Sequence, residues 1–469
     1  MLRYSLLSIL ITFLCIYAWK DWYKSLCGLI ILLAVLERPD MPKQLFGIPG
    51  FNPWNILLLF IILAWFADKI KNSSEIKIPN HIKTLFGLFF IVILTGYFRE
   101  IAKIDVINEF SIHFSGFGQS KSGLFIDDVI NTAKYMIPMI LFFDGAKNKD
   151  RVKLGIIAIV ILHIILAIQI IKLMPLSLIM DASTLETRAA RTLGRDVGYF
   201  RTDLAMMLSG AIWAAFFLRN ITPKTQSFFL LISFFILFLA LALTGGRTGY
   251  GSFFMIALIL GVIKWRKLLL IIPVIAIISL TLLPSVGERI TQGFDEDGES
   301  HFAKEGVRDA IDEKFGPSSI DLYTITSGRA FAWIYVLEKI EDSILFGYGR
   351  RGMQSSGLSL ELAEEFNEGF PHPHNAYLEI LLDNGIVGAF PILLLFFLIT
   401  IYFVKLLLSD DKYLSSVGAI CLSVLLGFIL ASIGAQSFYP KESSISMWAI
   451  IGIGLRVYVT RDLPEKTRE

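Results

Sequence analysis

The sequence predicts an all-α, polytopic membrane helical bundle of twelve or thirteen transmembrane helices, with one large, partly helical extracytoplasmic loop. Three observations predict it. First, 55% of the 469 residues are hydrophobic and the mean hydropathy is +0.64, whereas a water-soluble chain of this size needs far more polar surface. Second, apolar runs of sixteen or more residues recur from one end to the other, the length needed to cross a bilayer as a helix. Third, Lys and Arg gather in alternate short loops, as expected where those loops stay on the cytoplasmic side. The net charge of +2 says nothing about partners; its distribution does.

Taken in order, the predicted spans are 3–18, 22–36, 54–71, 83–98, 127–145, 152–174, 203–219, 225–243, 247–263, 267–284, 385–407, 413–434 and 444–459. The first run has the length of a signal peptide, but no small-residue cleavage site follows, so it reads as a retained helix. The cation-rich loops carry Lys69, Lys71, Lys77 and Lys83; Lys147, Lys149, Arg151 and Lys153; Arg219 and Lys224; Lys264, Arg266 and Lys267; and Lys405 and Lys412. The tail with Arg461, Lys466 and Arg468 joins them. The opposite, outer face then holds the loops near 37–53, 99–126, 175–202, 285–373 and 435–443. Thirteen spans put the N-terminus outside; if the first two form one membrane element, it lies inside. The division that follows is a bundle over 1–284, an outer loop with short helices over 285–373, and a histidine helix with the last spans over 374–469.

Several residues do not fit a purely structural membrane bundle. The outer segment ETRAARTLGRDVGYFRTD places Arg188, Arg191, Arg195 and Arg201 where short loops should be poor in cations. Glu186, Asp196 and Asp203 are available to pair with them; as a group the arginines read as an anion-binding surface. Arg247 stands in LALTGGRTGYG at the outer end of two apolar runs. An edge cation can simply snorkel, but Gly245 and Gly246 free the backbone, Thr244 and Thr248 offer hydroxyls, and a helix starts there with unpaired amides. That combination suits an oxyanion or phosphate. Arg329 opens an amphipathic helix in TSGRAFAWIYVLEKI, with Ser327 as its expected N-cap and Trp333, Val336 and Ile340 on one face. A solvated loop arginine is the plain alternative.

The outer loop ends PHPHNAYLEILLDNGIVGAF. Pro371 and Pro373 stiffen the approach to His374, which precedes a helical stretch over 375–383, and Gly385 and Gly388 allow close packing at the membrane edge. An imidazole there is a natural general base for a sugar hydroxyl. His372 is a second candidate; Asn375, Tyr377 and Glu379 are supporting ones. The three cysteines, Cys15, Cys27 and Cys421, fall in apolar runs and read as small buried hydrophobes. The acidic turn with Asp295, Glu296, Asp297 and Glu299 has only a fragment of a calcium-loop spacing and reads as solvated. No metal site and no cofactor is expected, and no internal repeat is evident.

His374–Asn375, nine residues, Gly385, two residues, Gly388 is similar to the histidine motif of the O-antigen ligase and O-antigen polymerase family. SGRAFAWIYVLEKIEDSILFGYG (327–349, with Arg329, Trp333, Gly347 and Gly349) resembles the family's second block. LTGGRTGYG resembles its first arginine block, although Gly246 stands where serine is usual. GYFRTDLAMML resembles a further block, but the Asn-Pro-Asn common there is missing, which puts a role for Arg201 in doubt. The resemblance spans about 185–405. It implies a glycosyltransferase of surface polysaccharide assembly at the outer face of the bacterial cytoplasmic (inner) membrane. The implied donor is an undecaprenyl-diphosphate-linked glycan; the acceptor is lipid A-core for a ligase or a growing glycan for a polymerase. It further implies Arg247 and Arg329 as charge stabilisers, His374 as base, and an inverting, metal-independent displacement; Arg191, Arg195, Arg201 and Thr248 are further candidates for the donor diphosphate. Expected partners are the lipid bilayer, the two glycans and other membrane proteins of polysaccharide assembly, with no nucleic acid. A lipid-linked-glycan transporter or flippase is the alternative, against which stand the missing repeat and the charges clustered at one face. A non-catalytic assembly subunit would leave the His and Arg blocks unexplained.

Overall fold

A computed structural model describes residues 2–48, 50–72, 78–291, 322–366, 369–434 and 438–461. Lys77, Lys466, Arg468 and the acidic turn at 295–299 lie outside the described residues. Within the described residues the chain is helical with no β-strand, the state that satisfies every backbone group in hydrocarbon. Nine helices there are long and apolar enough to cross a membrane, and Arg247–Ile263 and Lys267–Ile277 are shorter apolar helices. Each predicted span has a helix at its place, the fifth being the end of a continuous helical run over 121–145 that includes a π-helical turn at Ile126–Asn131. Fewer helices are therefore full-length spans than the predicted twelve or thirteen.

The first two predicted spans form a tight hairpin. Helix Leu2–Leu36 breaks at Asp21 (φ −152°, ψ 87°). Ser25 Oγ then donates to the Leu14 carbonyl at 2.9 Å, two residues that a straight helix would hold about 16 Å apart. Arg3 pairs with Asp40, and the Tyr4 hydroxyl donates to the Asp40 carbonyl at 2.9 Å. The N-terminus thus sits at the face that carries residues 37–48, which resolves the two alternatives in favour of two separate arms.

The predicted sorting of loops into two faces reappears as contacts. At one face Asp21 meets Arg151 at 3.2 Å and Lys69 meets Asp144 at 2.5 Å. There too, Lys264 Nζ donates to the carbonyls of Leu407 and Ser409 at 2.8 and 2.6 Å. At the other face Lys441 pairs with Asp203 at 2.7 Å, and Tyr135 donates to Glu442 at 2.5 Å. Between the faces, helices Arg201–Leu218 and Lys412–Ala431 form the buried centre. They cross with backbones in contact: a Cβ on Gly210 would lie 2.8 Å from the Ser423 carbonyl oxygen, the small-residue packing that lets membrane helices approach closely. This crossing fixes one end of both helices, with Arg201 on one and Gly434 just beyond the other.

Short helices cover that end. The segment read as a plain loop over 175–202 holds helix Ala182–Asp196, started by Asp181, whose carboxylate accepts from the amides of Ser183 and Thr184 at 3.0 and 3.1 Å; the N-cap signal was present in the sequence. Helices Pro284–Thr291, Arg329–Asp342, Gly352–Ser355 and Leu358–Phe366 belong to the large loop, partly helical as expected. Phe331, Val336, Met353, Leu358 and Leu362 form a small core of their own, completed by Leu382 of helix Ala376–Leu407. The loop is anchored where that helix breaks at Gly385 (φ +58°): Ile386 and Val387 amides donate to the carbonyls of Ile344 and Leu345 at 2.9 and 3.1 Å. Tyr348 and Gly349 amides in turn donate to Leu382 and Asp383 carbonyls, both at 2.8 Å. A Cβ on Gly385 would fall 2.2 Å from the Leu345 carbonyl carbon, so glycine is required there on two counts.

Candidate active site

Helix Ala376–Leu407 is capped by Asn375, whose side chain accepts from the amides of Tyr377 and Leu378 at 3.0 and 3.3 Å. The residue before the cap, His374, has φ +51°, a conformation that strains any residue with a Cβ. Three contacts hold it. The Trp333 indole donates to the Pro373 carbonyl at 2.8 Å, the His374 amide donates to His372 Nδ1 at 3.3 Å, and the Ala376 amide donates to the Ser432 carbonyl at 2.8 Å. The two imidazoles stand 4.0 Å apart, tilted by 58°. Burial, then the positive charges of Arg329 and Lys441, hold His374 down to about 4; burial, His374 and the same cations hold His372 at about 3. At neutral pH both rings are therefore uncharged.

His374 and His372 line a cleft of about 840 Å³ together with Arg329, Arg201, Asp203 and Lys441. A smaller cavity of about 160 Å³ continues it, with Arg201 and Arg329 common to both, and adds Arg247, Thr248 and Arg289. The three blocks of sequence thus meet at one end of the bundle. The junction is narrow: a Cβ on Gly434 would lie 2.4 Å from the Thr248 methyl and 3.0 Å from Arg329 Nη1. Burial, then the cation of Arg201, pushes Arg329 down to about 10, the mark of a guanidinium crowded by like charge and favourable to an anion.

Four arginines share this region, and one carboxylate answers two of them. Glu186 pairs with Arg201 and with the almost fully buried Arg289. Arg247 donates to the Thr324 carbonyl at 2.6 Å and to Ser327 Oγ at 3.1 Å. Ser327 is therefore not the N-cap expected of it: helix Arg329–Asp342 begins after Gly328, and Thr326 Oγ1 accepts from the Ala330 amide at 2.8 Å. The Thr244 hydroxyl is likewise engaged within its own turn, donating to the Leu241 carbonyl at 2.7 Å.

The remaining candidates separate. Arg191 and Arg195 are exposed on helix Ala182–Asp196 and line neither cavity; Arg195 pairs with its neighbour Asp196 at 2.9 Å. The reason is amphipathicity: Leu185, Ala189 and Leu193 are buried, Ala190 lines the cleft, and positions 188, 191 and 195 face away. Arg201, the weakest resemblance, is with Arg329 one of the two arginines common to both cavities. Glu379 is buried and meets Arg350 at 3.7 Å, and the Tyr377 hydroxyl donates to the Ile429 carbonyl at 2.9 Å. Sequence reasoning missed Arg289, Lys441 and the cluster in which the partly buried Arg350 meets Asp128 at 3.3 Å and Asp383 at 3.6 Å, against the face of Tyr439. Only the Arg350–Arg351 pair, two cations on the predicted outer side, was a signal for it.

The described residues thus form a helical, multi-pass membrane protein with a cleft lined by Arg201 and Arg329 at one end of its spans. Residues 232–393 match the family model described as O-antigen ligase, which supports an assignment to the O-antigen ligase and polymerase family. The match supports a role in the glycosyl transfer of polysaccharide assembly. The match takes in Arg247, Arg289, Arg329 and His374 and stops short of Arg201. No curated protein matches the chain.

Proposed function

We propose that the cleft transfers a glycan from undecaprenyl diphosphate to an acceptor sugar hydroxyl at the outer face of the cytoplasmic membrane, by direct displacement with inversion and without a metal. The observation that carries this reading is that Arg201 and Arg329 line one cleft with His374 and a connected cavity with Arg247. Breaking the glycosidic bond leaves negative charge on the departing lipid diphosphate. Preorganised guanidinium groups at a site shielded from bulk water stabilise that charge, typically by about 3–4 kcal/mol for one well-placed donor. Arg247, Arg329 and Arg201 take this role, with Thr248 beside them.

His374 accepts the acceptor hydroxyl's proton as its oxygen attacks the anomeric carbon. An imidazole held at about 4 is uncharged and ready, but weakly basic. Because Arg329 and Lys441 are part of what lowers it, a bound diphosphate offsets their field and raises the basicity of His374. The base is thus strengthened when the donor is in place. The test is glycan transfer by purified protein in nanodiscs with its lipid-linked donor, in EDTA. Persisting transfer that is lost in His374→Asn and in Arg329→Ala supports the scheme; full activity of either variant removes it. Lipid-linked glycan crossing vesicle membranes without bond formation would instead favour a flippase.

A further inference from the structure

A second cavity opens beside the cleft, and its walls are of a different character. It holds about 320 Å³ and shares Glu37, Lys43 and Glu442 with the cleft, so the two are neighbours along one groove. Among the described residues no arginine lines it: Lys43 and Lys134 stand against Glu37 and Glu442, whereas the cleft holds Arg201, Arg329, Lys43 and Lys441 against Glu37, Asp203 and Glu442. Lys43 meets Glu37 at 3.4 Å, Lys134 Nζ donates to Asn131 Oδ1 at 2.7 Å, and Glu442 accepts the Tyr135 hydroxyl at 2.5 Å.

Two polar atoms of this wall have no hydrogen-bond partner among the described residues. The indole Nε1 of Trp54 is one, on a side chain only 5% exposed. The other is Oδ1 of Asn55, whose amide nitrogen is held by the Gly50 carbonyl at 2.6 Å. One is a donor and one an acceptor, and Trp54 and Asn55 line the same cavity. Buried polar groups are nearly always satisfied, so an exception calls for a missing partner. A hydroxyl group both donates and accepts, so an array of hydroxyls on one ring fits such a pair. Lys134 Nζ lies over the rings of both Trp54 and Tyr135, 5.2 and 4.6 Å from their centroids, so the recognition falls to the polar groups, and a charge-balanced polar lining suits an uncharged, hydroxylated ring rather than a phosphate.

We infer that this cavity is a sugar subsite: it holds one uncharged sugar unit of the substrate glycan, set apart from the bond being made at His374. The inference rests on the glycosyl-transfer reading. It adds that glycan recognition is separate from recognition of the diphosphate.

The experiment uses the whole protein in nanodiscs and two probes. One is the repeat-unit oligosaccharide released from the producing cell's polysaccharide by mild acid, followed by saturation-transfer NMR. The other is inorganic pyrophosphate, followed by calorimetry. Trp54→Phe removes only the N–H and keeps an aromatic ring; Asn55→Ala removes the acceptor. Each should weaken oligosaccharide binding about three- to tenfold, the loss of one neutral hydrogen bond, with pyrophosphate affinity held within twofold. Arg329→Ala should do the reverse. A rise in KM for the donor alone would place the subsite on the donor glycan, and a rise for the acceptor alone on the acceptor. Unchanged oligosaccharide binding in both Trp54→Phe and Asn55→Ala overturns the subsite, as does a wild-type protein that binds pyrophosphate but no oligosaccharide. If the wild type binds the oligosaccharide through Trp54 but no pyrophosphate, the subsite stands and the diphosphate reading fails.

Discussion

At His374 the backbone and the side chain make separate demands. The φ of +51° disfavours most side chains, while the ring sits beside Arg329 and Lys441. Asn is among the residues that tolerate this conformation, so His374→Asn should fold as the parent does and lose about 10²- to 10⁴-fold in transfer rate, the usual worth of a general base. Circular dichroism and turnover on the same preparation check both halves. The sign of the pH dependence follows from the same field. The pKa of the free imidazole is lowered, so its base form is lost only as pH falls through about 4. The acid limb of kcat/KM, which reports free enzyme, should lie near there, and the limb of kcat, which reports the donor complex, at higher pH. Removing the Arg329 cation in Arg329→Gln should move the kcat/KM limb upward; a limb that stays put would mean that Arg329 does not sense His374.

At the scale of elements, two contacts assemble the site from pieces far apart in the chain. Trp333 ties helix Arg329–Asp342 to the histidine turn through the Pro373 carbonyl. Trp333→Phe keeps the packing and removes the donor, at a cost of about 1 kcal/mol in stability. Because the turn it holds is strained, kcat should fall more than donor affinity does, which steady-state kinetics would show. The break at Gly385 receives the 344–349 strand of loop. Gly385→Ala meets both a positive φ and the Leu345 backbone, so it should lower the melting temperature markedly and more than Gly87→Ala, where nothing stands within 4 Å of a Cβ. The motif spacing pointed to Gly385 as a packing glycine; its role as a helix break was not legible, since a break depends on the loop that fills it.

For the whole molecule, the orientation in the membrane is open to direct test. All three cysteines are buried, so the parent should react little with a membrane-impermeant maleimide. Ser183→Cys, exposed on the cleft side, should label in intact spheroplasts, and Lys412→Cys, exposed at the opposite face, should label only after permeabilisation. The reverse pattern would turn the bundle over and place the cleft in the cytoplasm. The alternation of Lys and Arg among loops made this organisation readable, and the contacts between loops at each face agree with it. The hairpin at Asp21 was left open by the sequence, because hydropathy records the length of an apolar run and not whether its two halves fold back on each other.

Local and cumulative signals determined a helical membrane bundle, the order of its helical runs, a large, partly helical loop and the three blocks with Arg247, Arg329 and His374. Each rests on period, composition or spacing within a short stretch, which a bilayer reads directly. Tertiary structure alone decided which cations share a cavity. It turned Arg191 and Arg195 outward, brought Arg201, Arg289 and Lys441 in, and gave Ser327 to Arg247 in place of its own helix. A guanidinium looks the same in sequence wherever it points; its use depends on the rotation of its helix and on which distant carboxylate reaches it first.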